Sequence, residues 1–153
     1  LRMIITGKYP SLRLRRNRKN NWCRRLLQEN KLSSDDLILP IFVIDGKNKK
    51  QKIKNMPDIY RYSIDKIPLI MDKAIKNKIP MVALFPYTKK TYKNPLGTEA
   101  LNEDNLVCKS IRFIKKKYKN SIGIMTDVAL DPYTSHGHDG IIKNGKIIND
   151  ETV

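Results

Sequence analysis

Residues 121–140 read SIGIMTDVALDPYTSHGHDG, and the fold is decided at the point where this stretch changes character. Gly123-Ile124-Met125-Thr126-Asp127-Val128 is a short run rich in β-branched and apolar residues, too short for a stable helix, and it predicts a buried strand. The segment after it is dense in chemistry. Between Asp127 and Gly140 the chain carries Asp127, Asp131, Asp139, His136, His138, Thr134, Ser135 and Tyr133. Working back from the strand, Val107, Ile111, Ile114 and Tyr118 fall on one face of a helix whose C-terminal end holds Lys115, Lys116, Lys117 and Lys119. Cations there suit the negative end of the helix dipole. Met81-Val82-Ala83-Leu84-Phe85 predicts a second strand, ended by Pro86. Ile67, Ile70, Met71, Ala74 and Ile75 repeat at helical spacing and stop before Pro80. Leu37-Ile38-Leu39-Pro40-Ile41-Phe42-Val43 predicts the first strand, closed by Asp45-Gly46, and the Lys-rich segment 47–55 reads as a loop. Strand, helix, strand, helix, strand in this order predicts βαβ units on a parallel sheet with right-handed crossovers.

Three parallel strands are too few, because such a sheet wants both faces covered and its edges paired. Beyond the third strand, Ile141–Ile148 reads as a hairpin around Asn144-Gly145, and Asp150 as the N-cap of a helix cut off at Val153. The expectation is therefore a fragment, and the first residue, Leu rather than Met, fits a chain that begins inside an open reading frame. No apolar run approaches the roughly 20 residues that span a bilayer, and the N-terminus has no signal-peptide pattern. Cys23 and Cys108 stand far apart in no metal-like spacing, which suggests a reducing compartment. In their helix-like settings both read as packed side chains rather than nucleophiles.

The chain has 153 residues, 40% hydrophobic and 30% charged, enough for one packed core. Its 31 Lys+Arg against 15 Asp+Glu give a formal charge of +16, which raises the alternative of a basic nucleic-acid-binding module using the Arg-rich N-terminal segment. The distribution argues against that alternative. Seven of the nine Arg fall between Arg2 and Arg25, whereas residues 121–153 carry five acids against Lys143 and Lys146. A nucleic-acid surface keeps its positive field across the face that holds its motifs. Residues 1–20 lack any periodicity and read as a basic arm, with too little apolar surface to order without an acidic partner; residues 21–153 read as the βα units. Trp22, Leu26 and Leu27 give a short helix its apolar stripe, with Asn20 or Asn21 as N-cap.

In β/α sheets and barrels reactive groups gather past the carboxyl ends of the strands, where Asp127 to Gly140 stands. Asp127, Ala129 and Asp131 alternate at period two and are expected to share one side of the strand end. Converging carboxylates serve proton transfer or cation binding, because each raises the pKa of the next. Competing roles are structural: Asp131 or Asp139 capping loop amides, and His136 and His138 as hydrogen-bonded loop residues. An HxH pair can bind zinc, but no third Cys or His has suitable spacing. A metal-binding regulatory domain built on Asp131, His136, His138 and Asp139 is a further alternative.

Four segments resemble the porphobilinogen synthase (5-aminolevulinate dehydratase) family: RLRRNRKNNWCRRLLQEN, DDLILPIFV, MPDIYRYSID, and IGIMTDVALDPYTSHGHDGI followed by NDETV. The resemblance extends over nearly the whole chain and covers about the first half of such enzymes. It implies the N-terminal half of a (β/α)8 TIM barrel preceded by an extended arm that embraces a neighbouring subunit of a homo-oligomer, an octamer, in the cytoplasm. It implies a hydro-lyase that condenses two 5-aminolevulinate molecules to porphobilinogen with loss of two waters, early in tetrapyrrole and heme biosynthesis. Neither nucleic acid nor membrane is an implied partner. Substrate is held as Schiff bases on two lysines that lie beyond Val153, so the fragment alone is expected to be inactive. Zinc-dependent relatives have three cysteines where this chain has Ala129, Asp131 and Asp139. The resemblance is thus to the aspartate-type variant, which uses Mg²⁺ or K⁺, and zinc is not expected. It assigns proton transfers to Asp127 and turns Asp131 and Asp139 toward the active site as catalytic residues or metal ligands. Ala129, Tyr133, Ser135 and His138 complete the active-site loop.

Overall fold

A computed structural model describes residues 7–153; the first six residues of the expected arm, Arg2 among them, lie outside the described residues. The chain divides into two compact units, Leu1–Ser33 and Ser34–Val153.

In the first unit a 3₁₀ turn, Arg16–Arg18, leads to helix α1 (Asn21–Leu26). Asn20 takes the extended N-cap conformation expected of it, although its side chain makes no capping bond. Local bonds hold this unit: Arg24 donates to the Arg18 carbonyl at 2.8 Å, and the Arg13 guanidinium stacks over Tyr9. Its larger apolar side chains are not packed. Leu14, Trp22 and Leu26 stand 75%, 65% and 76% exposed, so the stripe read from the sequence is a surface and not a core.

The second unit is a five-stranded sheet in the order β2-β3-β1-β4-β5. Strands β1 (Ile38–Ile44), β3 (Tyr60–Tyr62), β4 (Met81–Tyr87) and β5 (Gly123–Thr126) are mutually parallel, and β2 (Lys50–Lys52) runs antiparallel to β3. The segment 47–55 expected as a loop therefore contains an edge strand. Its three side chains are exposed and charged or amide, a pattern with no apolar alternation to reveal pairing. Strand β4 also runs through Pro86 rather than ending there. Strand β5 stops opposite Leu84, so no ladder is broken on that side by the missing N–H of Pro86.

Helices α2 (Pro68–Lys76) and α3 (Leu106–Tyr118) cover one face of the sheet. Pro68 opens α2 where its missing N–H costs nothing. Asn105 caps α3, its Oδ1 accepting from the Cys108 amide at 2.9 Å. Alternation in the strands sends Ile41, Val43, Val82 and Leu84 against Ile67, at the N-cap of α2, and Met71, Ala74 and Ile114 of the helices, which makes the core. Neither α2 nor α3 covers the opposite face: Ile38, Phe85, Tyr87 and Met125 are exposed there, and the Phe42 and Phe85 rings meet at 5.7 Å. A parallel sheet with one apolar face bare is half of a structure, and the inner wall of a β/α barrel has this character.

A hairpin, β6 (Ile142–Lys143) with β7 (Lys146–Ile147), turns at Asn144 and Gly145, both at positive φ as the sequence requires. The last turn of helix, α4, is Asn149–Thr152; Asp150 lies in its first turn, and the N-cap is Ile148 rather than Asp150.

Candidate active site at the carboxyl ends of the strands

Four parallel strands end on one side of the sheet, and the segments after three of them bear on the candidate site. After β1 comes Asp45, after β4 the segment 88–101, and after β5 the acid-rich loop 127–140. Asp45 and Lys89 form an ion pair that ties the first two together. Through that hydrogen bond Lys89 holds the Asp45 carboxyl below its usual range, and Asp45 in turn raises the Lys89 ammonium.

Asp127 is the first residue beyond β5, exposed, one further step of the alternation that places Met125 on the bare face of the sheet. Asp127, Ala129, Tyr133 and Asp139 line a cleft of about 610 Å³ that also touches Asn105 and Cys108 of α3. Asp131 is not among them. The extended conformation ends at Leu130, whose carbonyl accepts from the amides of Tyr133 at 2.8 Å and Thr134 at 2.9 Å. This turn takes Asp131 out of the cleft lining, while all five residues from Thr126 to Leu130 line it, so the cleft does not sort Asp127, Ala129 and Asp131 by the alternation expected of them. The Asp131 carbonyl instead accepts from Lys93 Nζ at 3.4 Å.

Asp139 reaches back across the loop. Its Oδ1 accepts from the Leu130 amide and, at 3.2 Å, from the Asp131 amide, which is the capping role open to it on sequence grounds. Tyr133 is 8% exposed; burial pushes its phenol pKa up, and the neighbouring Cys108 and Glu99 add to the shift. Thr134 is buried and donates to the His138 carbonyl at 2.8 Å. His136 and His138 stack at 5.7 Å. The His138 amide donates to His136 Nδ1 at 3.2 Å, which leaves Nε2 to donate to the Pro95 carbonyl at 3.1 Å. The His136 ring thus takes a hydrogen-bonded structural role in the loop, and His138 takes part through its main chain and its stacked ring. Ser135 lines a second cleft, of about 440 Å³, with Tyr87, Thr88, Lys90, Lys93 and Pro132.

Among the described residues no group of three or more His, Cys, Asp or Glu side chains converges to hold a metal ion. Asp139 is committed to loop amides and Asp131 is turned outward, so this pair does not fit a cation as it stands. The arrangement offers an exposed carboxylate, Asp127, at the rim of a cleft between α3 and the acid-rich loop. It also offers lysines on the neighbouring segment. That set suits proton transfer on a small polar substrate.

Sequence reasoning missed Asn94, which joins the segment after β4 to the acid-rich loop. An isolated parallel bridge pairs Asn94 with Thr134. The available signal was Asn94-Pro95 followed by Gly97, a turn signature.

The family model described as delta-aminolevulinic acid dehydratase matches residues 11–153. A delta-aminolevulinic acid dehydratase of Bradyrhizobium diazoefficiens is 52% identical over 143 residues, which are 94% of this chain and 40% of that protein. The one of Methanothermus sociabilis is 42% identical over 146 residues, 95% of this chain and 44% of that protein. The chain spans less than half the length of these relatives. A crystal structure of the Toxoplasma gondii dehydratase in complex with the reaction product porphobilinogen superposes with a TM-score of 0.85 at 37% identity, covering 92% of this chain and 40% of that one.

Proposed function

The chain belongs to the delta-aminolevulinic acid dehydratase family, and from that premise we propose that it forms the arm and first βα units of a porphobilinogen synthase, a hydro-lyase joining two 5-aminolevulinate molecules with loss of two waters. The observation that carries the reading is the family match over residues 11–153, which includes the acid-rich loop at the carboxyl ends of the parallel strands.

In this reading Asp127 moves protons at the reacting centre from its place one residue past β5. Asp139 sets the shape of the loop by holding the Leu130 and Asp131 amides, and Asp131 meets substrate from the outer side of the turn. Tyr133 packs the loop against α3, while Ala129, Ser135 and His138 line or brace its mouth. The two Schiff-base lysines, which make the substrate ketone a better electrophile, come from the part of the relatives that this chain does not span. The bare apolar face of the sheet becomes the inner wall of the closed barrel.

Magnesium, or potassium, is the cation we propose for the whole enzyme, since positions 129, 131 and 139 lack the thiolates that zinc prefers. No ligand is assigned to it in this chain, and no step is routed through it. We assign the exposed Arg-rich unit, with Trp22 and Leu26, to contacts with a neighbouring subunit of a homo-octamer, and the whole to the cytoplasm. Among the described residues no helix is long and apolar enough to cross a membrane.

The test is a hybrid in which residues 1–153 are joined to the C-terminal part of the Bradyrhizobium relative. Porphobilinogen formation from 5-aminolevulinate by the hybrid, with none from residues 1–153 alone, is the expected result. A correctly assembled hybrid without turnover would refute the proposal.

A further inference from the structure

We infer that Asn94 is a positioning residue for the reaction, the centre of a clamp by which the segment after β4 holds the acid-rich loop in register with Asp127. The inference rests on the dehydratase reading and extends it to a residue outside the loop.

The clamp has a main-chain part and a side-chain part, and both meet at Asn94. In the main chain the Asn94 amide donates to the Tyr133 carbonyl at 3.3 Å, and its carbonyl accepts from the Ser135 amide at 3.0 Å. These bonds grip the loop on both sides of Thr134, which is 1% exposed. In the side chain, Oδ1 accepts from the amides of Leu96 at 3.0 Å and Thr98 at 3.2 Å, and Nδ2 donates to Thr98 Oγ1. One amide group therefore folds its own segment into the turn that presents the main-chain grip. Two flanking contacts reinforce it: Lys93 Nζ on the Asp131 carbonyl, and His136 Nε2 on the Pro95 carbonyl.

The segment is also pressed close. Gly97 sits at φ 62°, and a Cβ there would lie 3.3 Å from Thr134 Cγ2 and 3.5 Å from Leu130 Cδ2. Glycine takes this left-handed backbone without strain, and a side chain there would press on Thr134 by a few tenths of an ångström. Without the clamp, the loop beyond Asp127 is left, among the described residues, with bonds within itself: those of the Asp139 carboxylate, the Thr134 hydroxyl, the Leu130 carbonyl and His136 Nδ1. Loops anchored at one end alone sample displaced geometries, and a displacement of about 1 Å in a reacting group costs on the order of a hundredfold in rate.

The experiment has two readouts. Amide hydrogen exchange on residues 1–153 compares the native chain with Asn94→Ala and Asn94→Asp. Asn94→Ala is expected to lose Ser135 protection while Val43 and Leu84 in the core keep theirs; Asn94→Asp, which retains Oδ1, keeps most of it. In the active hybrid, Asn94→Ala is expected to lower kcat by about tenfold to a hundredfold with KM within about threefold, and Asn94→Asp to recover most of the loss. Retained Ser135 protection in Asn94→Ala overturns the clamp, and lost protection with unchanged kcat overturns the positioning role. A hybrid inactive even with Asn94 counts against the dehydratase reading instead, and the exchange readout still decides the clamp.

Discussion

Replacing Asp139 separates the two roles a carboxylate can play in this loop. In the structure its Oδ1 accepts from two amides, those of Leu130 and Asp131. Leu130 is half-buried, so its amide loses an acceptor that water replaces poorly; Asp131 is exposed, and its amide returns to solvent at little cost. Asp139→Ala therefore removes about one capping bond, worth about 1 kcal/mol and within the roughly 0.5–2 kcal/mol range of comparable caps. For a chain of this length, that lowers Tm by about 2–4 °C. Asp139→Asn keeps an oxygen in place but loses the charge, which accounts for roughly half the strength of such a bond, so its shift is about half as large. Urea unfolding of the three proteins, monitored by far-UV circular dichroism, measures the series. A drop in Asp139→Asn equal to that in Asp139→Ala would show that charge and not capping matters there. No drop in either would remove Asp139 from the loop's support.

Met71 is fully buried between α2 and the sheet, and Met71→Ala is expected to cost about 2–5 kcal/mol, read as a lower urea midpoint at unchanged slope. Tyr118 donates to Asp72 Oδ1 at 2.7 Å and ties α3 to α2, so Tyr118→Phe should cost about 1 kcal/mol. Burial, and then Asp72, push the Tyr118 phenol pKa well above its ordinary value; its stabilisation is thus complete below pH ~10 and is lost as pH rises beyond, an alkaline loss that a pH series of melts should find reduced in Tyr118→Phe. For Asp45 the sign is opposite. Its carboxyl pKa is depressed by Lys89, so the pair stabilises above the ordinary carboxylate range and fails as pH falls through the lowered value. Both partners are about half exposed, so Asp45→Asn should change stability by less than about 1 kcal/mol at neutral pH, and by less again in high salt.

How far the sequence could be read depends on which elements are amphipathic. Strands β1, β4 and β5 were legible because burial makes them apolar runs bounded by turn residues, and α2 and α3 because they bury one stripe. Strands β2 and β3 were not. Lys50-Gln51-Lys52 has nothing apolar to bury, and Tyr60-Arg61-Tyr62 is three residues whose pairing with β1 is a long-range choice. At the site, the carboxylates and hydroxyls concentrate in the loop that the structure puts just past β5, with Asp127 its first residue. Strand alternation misplaced Asp131, because it was carried past Leu130, where the chain turns. Asn94 was invisible for another reason: its partners Tyr133 and Ser135 are remote in the sequence, and a turn signature does not say what the turn will grip.

The central claim is that the carboxylate just beyond β5 works at the reacting end of a dehydratase barrel. Turnover of the hybrid enzyme with Asp127→Ala tests it most directly, with assembly checked by size-exclusion chromatography. The expected result is a fall in kcat of at least about a hundredfold in an oligomer of unchanged size. Turnover near that of the unmodified hybrid would contradict the claim.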